Sequence, residues 1–334
     1  MKNGWRKFLL FKLPGTLAAI LILIEALAFA LEEVRPNRHD LDRLAIIADQ
    51  TNGTINSNII VFGDSVTQDV FKTFRIGVEG QIANLTTNKA SGIIGSYLLL
   101  SRYLQNYPAP ETAVFAATPE FFAFSPGGDV AELYLSSVFH HENEQDFIDG
   151  YMGEKLSASP ISLMHMEGRI GTKIISVLSP TPTKFPMGHR VPDPNALASG
   201  TDVRAHVLED ILKRAERPID IPSKNSDVFS EICTLAKKYK FNIHIVFAPV
   251  PISLFEAWKR NGIFISFLQQ LRHLLNQGCQ DVAVSLDATL AVVPDHMMRD
   301  ADHLNRHAGT SFFATRLNGL VVKLTSSSRN ISSQ

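Results

Sequence analysis

The sequence predicts an α/β protein whose sheet is parallel and covered by helices on both faces. Short apolar, β-rich runs such as Ile59–Phe62 and Thr112–Ala117 read as strands buried on both sides. Segments with helical apolar spacing stand between such runs. Turn residues, Gly63-Asp64-Ser65 and Thr118-Pro119, close the first two strong strands at their carboxyl ends. Strands joined by helical crossovers give a parallel sheet.

In chain order, Lys2, Arg6, Lys7 and Lys12 come first, followed by 19 residues, Leu13 to Leu31, with one ionisable group, Glu25. A helix of that length rises about 28 Å, close to the thickness of a bilayer's hydrocarbon core. The basic residues precede the span, and Glu32 and Glu33 follow it. That asymmetry leaves residues 1–12 in the cytoplasm and the bulk of the chain outside. A retained transmembrane anchor over 13–31 is expected. Ala26, Ala28 and Ala30 leave a cleaved signal peptide as the rival. Glu25 either contacts a partner helix or snorkels toward the outer end. Residues 32–55 are polar and read as a stalk.

The globular domain is expected over 56–325. Ile59–Phe62 is a strand and Val78–Leu85 a weaker one. Ser91–Tyr107 has helical spacing and stops at Pro108. Thr112–Ala117 is the next strand. Residues 125–226 then break the rhythm with helical fragments such as Asp202–Ala215 and a Pro-rich run from Ser179. An insertion of this length forms a cap or wall over a binding site, or packs over a sheet edge. A helix over Asp227–Tyr239, a strand over 241–251 ending in prolines, a helix over Ile252–Asn276, a strand over Val282–Leu286 and a helix over Arg306–Leu324 complete the pattern. The Ser-rich tail, 326–334, is expected to be disordered.

Composition narrows the function. A net charge of −1 supplies no field for nucleic acid. Two cysteines, Cys233 and Cys279, exclude a Cys-based zinc site; they are buried small hydrophobes or a disulfide. Three glycosylation sequons, at Asn52, Asn84 and Asn330, are too short a pattern to argue from.

The chemistry lies at the strand ends. In open α/β sheets ligands bind outside the carboxyl ends of the strands. Ser65 stands there, at the start of a helix, where its own N–H and hydroxyl face the same way and suit an oxyanion. A serine nucleophile needs a base, and the base needs an orienting group. Asp300-x-x-His303, just before the last helix, supplies both. At that spacing on a turn the carboxylate reaches Nδ1 and leaves Nε2 for a serine. Leu304, Asn305 and Gly309 sharpen the pattern. The plainer alternatives are Ser65 as a helix cap, His303 and His307 as structural residues on one helix face, and a zinc or manganese site among Asp295, His296, Asp300, Asp302, His303 and His307. His140-His141 beside Glu142 and Glu144 reads as a solvated turn, Asp64 as a turn-former, and the prolines of 248–253 as the floor of a pocket.

Gly-Asp-Ser near the start with Asp-x-x-His-Leu-Asn near the end resembles the SGNH (GDSL-like) hydrolase superfamily. The likeness is greatest to its membrane-anchored, exported branch, which includes proteins of alginate acetylation and of D-alanine transfer to teichoic acids. The resemblance spans roughly 55–325 as an order of motifs, with the insertion unmatched. It implies a flavodoxin-like three-layer α/β/α sandwich, the SGNH hydrolase fold, preceded here by one transmembrane helix. It also implies a triad of Ser65, His303 and Asp300. No G-x-S-x-G elbow is present, which disfavours the other large serine-hydrolase fold. The oxyanion hole would comprise Ser65 with Asn88 or Gly92, from "NLTTNKASGIIG". The usual Gly-x-Asn-Asp block reads "AATPEFF", Ala116 to Phe122, without the Asn donor. The expected activity is an O-acetyltransferase or acetylesterase on cell-envelope or extracellular polysaccharide. It needs no cofactor and no metal. It works at the periplasmic side of the inner membrane, with a multi-span membrane acyltransferase as partner. The alternative is a degenerate SGNH domain that binds polysaccharide or scaffolds a polymer-modification complex.

Overall fold

The computed structural model describes residues 57–77, 82–127, 141–153, 202–305 and 308–331, with single positions at 13, 16, 47, 48, 131, 134, 135, 138 and 139. By its internal contacts the chain divides into two units, Met1–His39 with Ser157–Val191, and Asp40–Leu156 with Pro192–Gln334. All the strands of the described residues belong to the second unit. The expected anchor at 13–31, the stalk at 32–55 and the Pro-rich run lie outside the described residues, save for single positions. Among the described residues no helix is long and apolar enough to cross a membrane.

Five strands form one parallel sheet: β1 (Ile59–Phe62), β2 (Ile82–Asn84), β3 (Thr112–Ala117), β4 (Asn242–Phe247) and, after a two-residue strand β5 (Val250–Pro251), β6 (Val284–Asp287). Their order is β2-β1-β3-β4-β6, every neighbour pair parallel. The chain therefore steps from β1 outward to β2 and then back across to β3. The direction of winding reverses between β1 and β3, and that gap opens a crevice at the strands' carboxyl ends.

Side-chain alternation divides the core in two. Ile60, Phe62, Phe115, Ile245 and Phe247 point to one face, under α2 (Gly92–Asn106), α6 (Ser223–Tyr239), α7 (Ile252–Arg260) and α8 (Ile263–Gly278). Ile59, Val61, Val114, Ala116 and Val246 point to the other. There they meet Val66 and Val70 of α1 (Ser65–Thr73) and Phe313, Leu317 and Val321 of α9 (Ala308–Ile331). The central strands β1 and β3 are buried at every position and carry no polar alternation, whereas β4 at its start and the edge strand β6 alternate polar and apolar residues. Between α2 and α6 in sequence lie α3 (Pro119–Ala123), α4 (Glu142–Met152) and α5 (Asp202–Ala215). Phe122 of α3 meets Phe247 edge-on at 6.1 Å and so joins this turn to the core under β4.

Several expected elements differ in extent. The strand expected over 241–251 ends at Phe247; Val250–Pro251 pairs instead with β7 (Val292–Val293) in a separate small sheet. The helix expected over 252–276 is two, because Gly262 takes φ +69° between α7 and α8. The last helix continues to Ile331, through the first part of the tail expected to be disordered. Cys233 and Cys279 form a disulfide with Cα atoms 5.2 Å apart, tying α6 to the end of α8. His141 caps α4, its N–H donating to Glu144, which also pairs with the buried Arg102.

Candidate active site

The Ser65 side of the site is built from a close backbone approach and a buried side-chain cap. Gly63 ends β1 so close to β3 that a Cβ there would stand 2.0 Å from the Ala116 carbonyl oxygen. Only glycine permits that approach. Asp64 caps α1: its carboxylate accepts from the amides of Val66 (3.1 Å) and Thr67 (3.4 Å). Its other oxygen accepts from the amide (2.8 Å) and hydroxyl (2.6 Å) of Thr118, at the end of β3. Asp64 is 2% exposed, so these four bonds satisfy a buried charge. It is a cap and a strap between the two switch-point strands. Ser65, the first residue of α1, is left half-buried at the crevice. Its N–H is one of the first-turn amides that have no acceptor within their own helix.

The His303 side is a small hairpin. Met298 and Leu304 pair as an antiparallel bridge, and the Arg299 N–H donates to the His303 carbonyl at 2.8 Å. Asp300 Oδ1 accepts from the amides of Asp302 (2.9 Å) and His303 (2.8 Å), a tight Asx-type turn. That turn brings the carboxylate to the imidazole: Nδ1 lies 2.8 Å from Asp300 Oδ1. With Nδ1–H donating there, Nε2 is the acceptor, and it stands 2.8 Å from Ser65 Oγ, 238 positions away in sequence. Asn305 fixes the far end. Its Oδ1 accepts from the Gly309 N–H at 3.1 Å, and its Nδ2 donates to His296 O at 3.1 Å. A Cβ on Gly309 would stand 2.5 Å from Met297 O. These contacts are why Leu304, Asn305 and Gly309 belong with the Asp-x-x-His pair.

Electrostatics follow this geometry. Burial works to lower the His303 pKa, but the hydrogen bond to Asp300 and its charge outweigh burial and leave the imidazole raised above its ordinary value. Burial works to raise Asp300, and the His303 ring together with the amides of Asp302 and His303 holds the carboxyl well below the usual range.

The other expected residues fall as follows. The Thr87 N–H donates to Gly63 O at 3.0 Å, which places residue 88 beside the nucleophile turn. Asn88 Oδ1 is buried with no hydrogen-bond partner among the described residues. Gly92 takes φ +59° and its N–H donates to Lys89 O, so that amide is engaged. Thr118 occupies the end of β3, where the SGNH pattern would place an Asn donor, and both its donors serve Asp64. The alternative metal set is dispersed: Asp295 binds Ser253, Asp300 binds His303, and His307 lies outside the described residues. Among the described residues no group of three or more His, Cys, Asp or Glu side chains is placed to hold a metal ion. Thr86 is buried and bonded to Asn84 Oδ1 (2.6 Å), which folds that sequon inward.

Two arginines escaped the sequence reading. Arg299 bridges Asp300 (3.3 Å) and Asp69 on α1 (3.3 Å). Arg214, in the last turn of α5, pairs with Glu120 and donates to Ala301 O at 2.6 Å. Arg299 adjoins the Asp-x-x-His pair and could have been flagged. Arg214 lies 87 positions before Ala301, and no local pattern points to it.

Compared with known proteins, the chain matches no family model and no curated protein.

Proposed function

We propose that the chain is an exported, membrane-anchored serine enzyme of the SGNH type that transfers or removes acyl groups on a cell-envelope or extracellular polysaccharide. The observation that carries this reading is the continuous line of contacts from Ser65 Oγ to His303 Nε2 and from His303 Nδ1 to Asp300, at 2.8 Å each. Its position at the switch-point end of a five-stranded parallel sheet, in the order expected of a flavodoxin-like three-layer sandwich, supports it further.

In this reading Ser65 Oγ attacks the carbonyl carbon of an acyl ester while His303 Nε2 takes its proton. Asp300 holds the tautomer and stabilises the imidazolium. The oxyanion meets the Ser65 N–H at the start of α1 and a second donor, for which the Asn88 side chain is better suited than the engaged Gly92 amide. His303 then protonates the leaving oxygen. Water, or a sugar hydroxyl activated by the same imidazole, takes the acyl group from Ser65. Transfer requires that the acceptor exclude water. Outside the cytoplasm no acetyl-CoA is at hand, so a multi-span membrane acyltransferase would load the acyl group. Residues 13–31 supply the anchor in this reading, and the Cys233–Cys279 disulfide suits an oxidising compartment.

A second reading, a degenerate SGNH domain that binds polymer or scaffolds a complex, is favoured by one observation. Both Thr118 donors and the Gly92 amide are engaged, which leaves fewer oxyanion donors than the family pattern implies. Incubating the full-length protein with p-nitrophenyl acetate, with and without a polysaccharide acceptor, separates the readings. Release of p-nitrophenol by wild type and not by Ser65→Ala supports the enzyme; acetyl on the sugar makes it a transferase. Equal inactivity of both proteins toward several acyl donors supports the scaffold.

A further inference from the structure

Arg214 belongs to α5, within the region that breaks the α/β rhythm, yet it reaches both halves of the candidate site. Its Nε pairs with Glu120, two residues beyond Thr118, and Thr118 holds the cap Asp64 beside Ser65. Its Nη1 donates to Ala301 O at 2.6 Å and lies 3.3 Å from Asp302 Oδ1, both inside the Asp300–His303 turn. The guanidinium also stands 5.8 Å from the ring of the fully buried Trp258 on α7, so its place is fixed by packing as well as charge. The second oxygen of Glu120 is buried without a hydrogen-bond partner among the described residues, so this carboxylate depends on Arg214 for its charge balance.

We infer that Arg214 is a positioning residue that clamps the Asp300–His303 turn to the nucleophile turn. A closed ring runs from Ser65 through Asp64, Thr118, Glu120, Arg214, Ala301 and His303 back to Ser65. Four of its links are made through side chains, Asp64–Thr118, Glu120–Arg214, Arg214–Ala301 O and His303–Ser65, and Arg214 takes part in two of them. A lysine cannot replace it, because a single ammonium cannot serve Glu120 and the Ala301 carbonyl with the same fixed fork. The sequence region that looked like an addition to the fold thus supplies part of the site's rigidity. The rate consequence of this inference rests on the proposed enzyme reading; the positional consequence does not.

The test uses full-length wild type, Arg214→Lys, and the double variant Arg214→Ala/Glu120→Gln, which releases the turn without leaving a buried carboxylate unpaired. Rates are counted per serine titrated with a fluorophosphonate probe, so misfolded protein drops out. Both variants are expected to lose kcat by roughly 10- to 100-fold with KM unchanged, as a misplaced base would. His303 is followed in parallel by NMR titration of its ring. Loosening the turn weakens the Asp300 contact, so the His303 pKa is expected to fall toward the ordinary value in both variants. Wild-type kcat per titrated serine together with a wild-type His303 titration would overturn the inference. If wild type itself is inactive, the enzyme reading fails, and the His303 titration alone decides: a fall upholds the clamp, and no change refutes it.

Discussion

The two halves of the candidate site are held by different means. The nucleophile turn is fixed by the sheet: Gly63 touches β3, and the buried Asp64 joins the caps of two neighbouring strand ends. The His303 turn lies beyond the last strand of the main sheet, half-buried, and is held by the Asp300 carboxylate, Arg299 and Arg214. The sheet fixes Ser65 through a close backbone approach and a buried side-chain cap, whereas partly exposed ion pairs and side-chain hydrogen bonds fix His303. Substitutions in the first half should therefore cost stability, and those in the second should cost rate.

The sharpest break in that comparison is Asp300→Asn. It keeps the shape of the turn but favours the wrong imidazole tautomer. Ester hydrolysis by the full-length protein should fall by about 10⁴-fold, a much larger effect than the stability lost with the Asp300 charge, which calorimetry reads separately. Next is Gly63→Ala, which forces a methyl group into Ala116 O. It should destabilise by roughly 3 kcal/mol, read from denaturant unfolding. Asp64→Ala should cost about 2–3 kcal/mol, because it removes the cap and leaves the buried Thr118 donors unpaired. If either substitution instead left stability intact and removed only activity, the division between the halves would be wrong.

The pH dependence sharpens the same contrast. His303 is raised above 6.5, so the neutral base is the minor form at that pH, and kcat/KM should rise with pH through a midpoint above it. The linked stability has two limbs. The His303 part is fully present below the unfolded value near 6.5 and is lost as pH rises through the higher folded value. The Asp300 part is present above 3.8 and is lost as pH falls toward the lower folded value. Hydrogen exchange of residues 299–305 should therefore be slowest between about pH 4 and 6.5 after correction for intrinsic rates. The smallest effect is expected from Arg299→Ala. Its ion pairs are partly exposed, so stability should change by less than about 1 kcal/mol.

The sequence was most legible where the physics is local. Strands such as Thr112–Ala117 announce themselves as apolar runs, and the helix over 202–215 by its periodicity. The Asp-x-x-His turn is readable because carboxylate, amides and imidazole lie within four residues. What required the fold was everything that joins distant segments. Thr118 read only as a strand end, yet its two donors hold Asp64, 54 positions away. The break at Gly262 had a local signal, the polar run Lys259-Arg260-Asn261-Gly262 with its Asn-Gly turn dipeptide, but the helical apolar spacing on either side ran the two helices together. Arg214 carries no local signal, because the groups that hold it, Glu120 and Ala301, lie 94 and 87 positions away.

The central claim is that Ser65 is a nucleophile activated by His303. It is tested most directly by trapping: full-length protein is reacted with a fluorophosphonate ester, digested, and mapped by mass spectrometry. The account predicts one covalent adduct on Ser65, formed rapidly in wild type and lost in His303→Ala. Absence of label on Ser65, or labelling that proceeds equally without His303, would contradict it.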